Sequence, residues 1–410
     1  GFSHDAFGSR RRRLHPDARS YQRFRGMIRK TAKRIIRRLA ANNYQTFNRI
    51  ELNRQRLLEN VAYMQKLHPE QAVITVLKAN AYGHGLLQVA EILNDADCAF
   101  LAVDGYFEAA QIRDITRHRI LVMGPIKLQN TVLVDTKRCS FVIQDVAGLR
   151  AFGKLNRPVR VHMELNTGMY RLGLEPDEVA EYLQVLKQYP KLRLEGVMTH
   201  LADADNPKTD AYTKKQVQLF DRIVERLLVE GFQPRYFHVA QTAASTKAHS
   251  RYANAIRLGI GLYGINPLLP ADEHFKDLGG LQPVLSLKST IIKIYDLKKG
   301  DRVSYNGIFT APGAMRIAIL PLGYYEGLPR ELSDRGTVSI DKRQLPIRGR
   351  ICMNHTVIDI SRAKLSVGDE VTVISADPSD ANSIHAVALV GVFAYDLMAS
   401  LSSSIKRIIV

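Results

Sequence analysis

The chain has 410 residues, 46% of them apolar and 24% charged, and a formal net charge of +18. That length exceeds one ordinary domain and suits two, and no apolar run reaches the roughly 18 residues of a membrane-spanning helix. Three widely spaced cysteines (Cys98, Cys139, Cys352) have the pattern of neither a disulfide framework nor a metal cluster, a usage that fits a cytoplasmic protein.

The charge is unevenly spread. Residues 1–40 hold 13 Lys+Arg against Asp5 and Asp17, a net of +11, which leaves +7 for the other 370. The ordinary reading of such a run is a solvated, disordered extension over 1–43 with one short helix at 28–39. An arm for nucleic acid or anionic membrane and an Arg-rich transit peptide are the alternatives. Met27 is a candidate internal start, and no apolar segment of a secretory signal follows the basic residues.

Beyond the extension, β-rich runs recur at 73–78, 98–103, 119–122, 140–143, 159–164, 193–198, 235–239 and 254–258. Between them lie stretches with helical spacing, at 86–93, 177–189 and 210–231. In the last, Val217, Phe220, Val224, Leu227 and Leu228 mark one face and Gly231 a stop. Strands alternating with helices predict an α/β fold, a (β/α)8 TIM-type barrel over 44–280. From Leu281 the texture becomes strand runs separated by Gly, Asp and Lys turns, which predicts a mainly β domain over 281–410 with a helix near 385–393.

Barrels of this kind collect reactive residues at the C-terminal ends of their strands. The first run, "VITVLKANAYGHG", ends in Lys78; later runs end in Glu164, His200, His238 and Arg257, and Arg171 follows Glu164 in "NTGMYRLG". One such residue is ordinary core chemistry, but a lysine, two histidines and two arginines on one rim are hard to explain as packing. A desolvated lysine among cations has a lowered pKa and can form a Schiff base. Pyridoxal phosphate is the obvious partner for it, with "RLGIGLYG" offering a phosphate loop and Thr242 a hydroxyl.

"VLKANAYGHG" resembles the cofactor-lysine motif of the alanine racemase family, fold type III pyridoxal-phosphate enzymes. "VHMELNTGMYRLG", "GVMTHLADAD", "HVAQTAAS", "IRLGIGLYGINP", "VSYNGIFTAP", "LPLGYYEGLPR", "IRGRICMN" and "AYDLM" continue the resemblance in order over about residues 45–400. The resemblance implies pyridoxal 5'-phosphate as cofactor, alanine as substrate and a homodimer with shared sites. It implies cytoplasmic supply of D-alanine for cell-wall peptidoglycan, with no need of nucleic acid. Lys78 then binds the cofactor and serves as one base; Tyr305 is the other, entering the partner's site. His200 supports that tyrosine, His238 sits beside the cofactor ring, and Arg257 faces the pyridine nitrogen. Arg171 lies near the phenolic oxygen and the substrate carboxylate. Tyr82, Thr242, Gly259, Ile260 and Tyr395 match the phosphate pocket. Met353 matches a substrate-carboxylate position, and Tyr324, Arg330 and Arg350 the entry corridor.

Some positions depart from the family pattern. Glu164 stands where a lysine, often carbamylated, is usual, and is expected to hold Arg171 directly. Asn166, Gln241, Asn354 and Glu326 also differ from their usual counterparts. A racemase for serine, lysine or arginine therefore stays open. A non-catalytic pyridoxal-phosphate-binding protein and a decarboxylase of the same fold type fit less well, given Tyr305, Met353 and the β domain.

Overall fold

The computed structural model describes residues 44–388 and 391–410; the expected basic extension, its short helix and Met27 lie outside them. The first described strand is β1 (Asn48–Leu52). Eight parallel strands then close into a barrel: β2 (Ala72–Val76), β3 (Phe100–Val103), β4 (Ile120–Val122), β5 (Cys139–Ile143), β6 (Val159–Leu165), β7 (Leu192–Thr199), β8 (Tyr236–Gln241) and β9 (Ala255–Leu258). The last pairs with the first, from Ala72 opposite Ala255 to Thr75 opposite Leu258. Every residue of β3, β4 and β5 is buried, as expected of strands covered on both faces.

Helices wrap this barrel by the expected periodicity. In Asp210–Val229, Val217, Phe220, Val224 and Leu227 are buried, each contributing about 1.5–3 kcal/mol. Gly231 then adopts φ 89°, and its N–H donates to Leu228 O at 3.0 Å, ending the helix.

One domain boundary differs from the sequence expectation. β1, placed with the barrel by its position, pairs antiparallel with β10 (Leu285–Thr290) and parallel with Lys406–Ile409. It lies in the six-stranded sheet of the β domain, with Thr337–Ile340, Arg343–Pro346 and Glu370–Ile374. The reason is visible in its pattern. Ile50 and Leu52 are fully buried while their neighbours are not, the alternation of a sheet with one wet face rather than of a barrel strand. A three-stranded sheet (Lys293–Leu297, Met315–Leu320, Thr356–Asp359) and a two-stranded hairpin (Arg302–Val303, Phe309–Thr310) complete the strands of this region. The helical signal near its end resolves into Ile384–Ala388 and Ala394–Ser400. Among the described residues no helix is long and apolar enough to cross a membrane, and no group of three His, Cys, Asp or Glu is placed to hold a metal ion.

Candidate active site

β2 delivers Lys78 to the C-terminal rim, and the turn after it is not an ordinary helix. Ala79, Asn80, Ala81 and Tyr82 have φ of 56°, 54°, 55° and 52°. A left-handed turn of L-residues costs about 1–2 kcal/mol per residue, so the surroundings must hold it. Asn80 N donates to Glu108 Oε1 at 3.3 Å, and Leu86 N to Asn80 Oδ1 at 2.8 Å. Glu108 Oε2 also accepts from Asp104 N at 3.0 Å, tying the turn to the next strand end. From the β domain, Arg407 Nη2 donates to Gly83 O at 2.8 Å. The helix Ala394–Ser400 packs so close that a Cβ on Gly83 would lie 1.8 Å from Met398 O. This helix brings the Tyr395 ring to 6.2 Å from Tyr82, whose other neighbour, Tyr263, lies 5.1 Å away.

Lys78 opens onto a cleft of about 240 Å³ that Tyr82, Glu164, Arg171, His200 and Arg257 also line. Burial, then Arg171 and Arg257, lower the Lys78 pKa, although Asp104 and Glu108 oppose them. Burial and the same two arginines hold His200 at about 3, and burial with Arg257 pushes His238 well below its ordinary value. Both imidazoles are therefore neutral near pH 7. Burial lowers Arg257 to about 10, against the pull of Glu164, so it stays charged.

Arg257 spends both terminal nitrogens on the protein. Nη1 donates to His238 O at 2.6 Å and to His238 Nδ1 at 3.0 Å. Nη2 donates to Thr199 O at 2.7 Å, Val239 O at 2.9 Å and His200 Nδ1 at 3.3 Å. Its Nε–H is the donor left for a ligand in the cleft. Below it, a Cβ on Gly259 would meet Tyr82 Oη at 2.9 Å, and Gly261 N donates to Thr242 Oγ1 at 3.2 Å. Ile260 follows Gly259 in this tight loop. Gln241 lines the same cleft with its Oε1 buried and unpartnered.

The expected Glu164–Arg171 ion pair is absent among the described residues. Burial raises the Glu164 pKa instead, against the attraction of Arg257 and Arg171 and the nearby Gln144 amide. Arg171 is solvent-exposed at the cleft mouth. A glutamate is shorter than a carbamylated lysine, and the gap remains open. Asn166 shapes the loop before Arg171, its Oδ1 accepting from Gly168 N at 3.1 Å and Tyr170 N at 3.0 Å.

Tyr305, Met353 and Tyr324 do not line this cleft of their own chain; they are 67%, 54% and 41% exposed. Tyr305 sits between Ser304, at φ 65° and ψ −171°, and Asn306, at φ 62°. Such strain persists only where the surroundings impose it. Here Ser304 Oγ donates to Arg350 O at 2.6 Å. Tyr325 N donates to Met353 O at 2.9 Å, joining corridor and carboxylate positions. Two departures from the family pattern meet, where Asn354 Nδ2 donates to Glu326 Oε1 at 2.8 Å. The Arg330 guanidinium lies 5.7 Å from the Tyr324 ring centre.

Sequence reasoning passed over Glu108, Tyr263, Gln144, the buried His162 and Glu195 behind Arg257, and the half-buried Arg119. For His162 and Glu195 a signal existed: polar residues in the interior of barrel strands whose other central positions are apolar, Val161 and Met163 in β6 and Leu194 and Val197 in β7.

Two family descriptions match the chain: "Alanine racemase, N-terminal domain" over residues 52–267 and "Alanine racemase, C-terminal domain" over 284–409. The alanine racemase of Geobacter sulfurreducens is 32% identical over 82% of this chain and 90% of its own. That of Citrifermentans bemidjiense is 34% identical over 80% and 89%. The crystal structure of alanine racemase from Bacillus anthracis with bound L-Ala-P superposes with a TM-score of 0.81 at 28% identity, covering 90% of this chain and 96% of that one. The alanine racemase of Bartonella henselae with covalently bound pyridoxal phosphate shares the fold at a TM-score of 0.77 and 21% identity, covering 89% and 100%. With the rim cleft and both domains accounted for, the chain belongs to the alanine racemase family.

Proposed function

We propose that the protein interconverts L-alanine and D-alanine with pyridoxal 5'-phosphate, as a cytoplasmic homodimer supplying D-alanine for peptidoglycan. The observation that carries this reading is Lys78, a depressed-pKa lysine at a barrel strand end, sharing a cleft with Arg257. The residues fit the cofactor. Lys78 Nζ suits its aldehyde, Arg257 Nε–H its ring nitrogen, and the loop at Gly259 and Ile260 with Tyr82 Oη its phosphate. Thr242 braces that loop from behind, with the Tyr395 ring near Tyr82. When bound, the cofactor acts as an electron sink that acidifies the substrate Cα–H.

The chain's own residues then govern the proton. Lys78 Nζ, held towards its neutral form by burial and two arginines, takes or returns it on one face. Tyr305 of a second copy serves the other face, since a base on each side inverts the centre without turning the substrate. Arg257 donates to His200 Nδ1, so neutral His200 carries its proton on Nε2 and can donate to that tyrosine's oxygen. A phenol of ordinary pKa near about 10 needs such help to act as a base near neutrality. Because Arg257 does not release its proton readily, the ring nitrogen facing it stays unprotonated, which restrains side reactions. Arg171 is assigned to the substrate carboxylate with Met353 of the second copy, and Tyr324, Arg330 and Arg350 to the corridor.

The test is D-alanine formation from L-alanine by purified protein, run beside L-serine, L-lysine and L-arginine. Alanine is expected to be turned over fastest; a faster rate on a larger amino acid selects the broader racemase, and no turnover of any rejects the activity.

A further inference from the structure

A line of polar groups, buried except at its Arg119 end, runs from Arg257 down the barrel interior to its opposite face, and the proposed reaction uses only its first member. Arg257 Nη1 donates to His238 Nδ1 at 3.0 Å. His238 Nε2 lies 2.9 Å from His162 Nδ1, and His162 Nε2 lies 3.4 Å from Glu195 Oε2. Glu195 accepts from Arg119 Nη1 at 2.6 Å, from Arg119 Nη2 at 2.9 Å and from Ser140 Oγ at 2.6 Å. Arg119 directly precedes β4, on the N-terminal side of the barrel, with its side chain 34% exposed. His162 and His238 are fully buried. The His162 ring is packed edge-on against Phe100 and stacked on Tyr236.

The chemistry of the ends gives this line a direction. Arginine has only donors and an ionised carboxylate only acceptors. Arg257 therefore requires His238 Nδ1 to be bare, which puts the neutral ring's proton on Nε2. That proton points at His162 Nδ1, so His162 also carries its proton on Nε2, aimed at Glu195. The sequence Arg257 to His238 to His162 to Glu195 is the one arrangement in which every contact has one donor and one acceptor. Arg119 and Ser140 hold Glu195 ionised: the hydrogen bond of His162, then theirs, lower its pKa well below the usual carboxylate range despite burial.

We propose that Glu195, His162 and Arg119 are positioning residues for the racemase site: together they set the tautomer of His238 and so lock Arg257 with its Nε–H facing the cofactor's ring nitrogen. Arg257 has no carboxylate hydrogen-bonded to it among the described residues; Glu164 attracts it within the cleft, while the carboxylate of its hydrogen-bonded support lies two imidazoles away. An apolar residue in place of Glu195 removes the acceptor that ends the line. Without it His162 Nε2–H has no partner and neither ring is held in one tautomer, so an N–H of His238 can turn against the N–H of Arg257. Glutamine is the conservative control: Arg119 Nη2 and Ser140 Oγ donate to Oε2, which keeps its amide oxygen there, still accepting from His162. Buried networks of this kind act as a unit.

The inference rests on the proposed function for its purpose but not for its test. Full-length protein labelled with ¹⁵N-histidine, with and without bound pyridoxal phosphate, is read by solid-state NMR, His162 and His238 being assigned by single substitution. Both rings are expected as neutral Nε2–H tautomers from pH 6 to 8; an Nδ1–H on either overturns the proposal. Glu195→Leu, which removes the acceptor, is expected to mix the tautomers, weaken cofactor binding about fivefold and shift the cofactor's visible absorbance. It is also expected to lower kcat about tenfold with KM for alanine within twofold. Unchanged tautomers, cofactor affinity and spectrum in Glu195→Leu overturn it equally. His162→Phe, which keeps the ring's packing and cuts the line, is expected to give the same losses, and carries the test if Glu195→Leu does not fold. Correct tautomers in a protein without racemase activity would reject the functional reading and leave the line intact.

Discussion

The barrel rim and the Tyr305 face of the β domain hold the two halves of the candidate site in opposite ways. At the rim, Lys78, His200 and Arg257 are sunk in a cleft, their pKa values displaced by burial and by one another. On the β domain, Tyr305 and Met353 are more than half exposed on a strained loop and its neighbour. The rim cleft is lined by strand ends and loops of the barrel; Tyr305 and Met353, on the strained tyrosine face, do not line it in their own chain. That difference supports a site completed by a second copy. It also predicts that substitutions in the two regions will differ in what they disturb.

The largest effect is expected at the rim. Lys78→Ala should lower racemisation by at least about a thousandfold, the scale of losing a catalytic base together with the cofactor's anchor, and should abolish the cofactor's visible band. Tyr305→Phe should lose about 10²–10⁴-fold in kcat while keeping cofactor and band. Its melting temperature should hardly move, since a change on an exposed side chain usually stays within about 0.5 kcal/mol. A Tyr305→Phe protein that loses cofactor would break the division between the regions. Glu164→Gln comes next, with about a tenfold loss that added bicarbonate does not rescue, because the group near Arg171 and Arg257 is a native carboxyl. Wild-type activity in Glu164→Gln would remove it from the site.

The smallest effect is on stability and concerns the brace between the regions. His84 is fully buried against Tyr263, with Nδ1 donating to Tyr82 O, and burial lowers its pKa to about 4. The unfolded imidazole, near its ordinary 6.5, binds a proton that the folded one refuses. Its contribution is therefore present above pH 6.5 and lost as pH falls towards 4. Roughly 2 kcal/mol should disappear between pH 7 and pH 5, read by denaturant unfolding. His84→Phe should flatten that part of the profile; an unchanged slope would count against a neutral buried His84.

The two regions also differed in how far the sequence could be read. The barrel strands were legible because most are short apolar runs, and several lead to a polar, chemistry-bearing residue, as at Lys78, His200 and Arg257. The left-handed turn at Ala79–Tyr82 was not, because alanine and tyrosine carry no local preference for positive φ. The hydrogen bond from Arg407 to Gly83 O that braces its end comes from 324 residues further on. β1 was misplaced because position along the chain suggested the barrel while its alternating burial belonged to a one-sided sheet. Each member of the line behind Arg257 looks ordinary alone; the pairing of β6 with β7 brings His162 to Glu195, and only the closed barrel brings Arg119, before β4, to Glu195 of β7. The missing Glu164–Arg171 pair shows the converse error, a contact inferred from charge where chain length does not reach.

The most direct test of a site divided between two copies is subunit mixing. Lys78→Ala and Tyr305→Phe proteins, each inactive, are unfolded together, refolded with cofactor and assayed for D-alanine from L-alanine. About a quarter of wild-type activity is expected, since half of randomly paired dimers are hybrids and each hybrid holds one complete site. No recovery above the separate proteins, with dimers verified by size, would contradict the account.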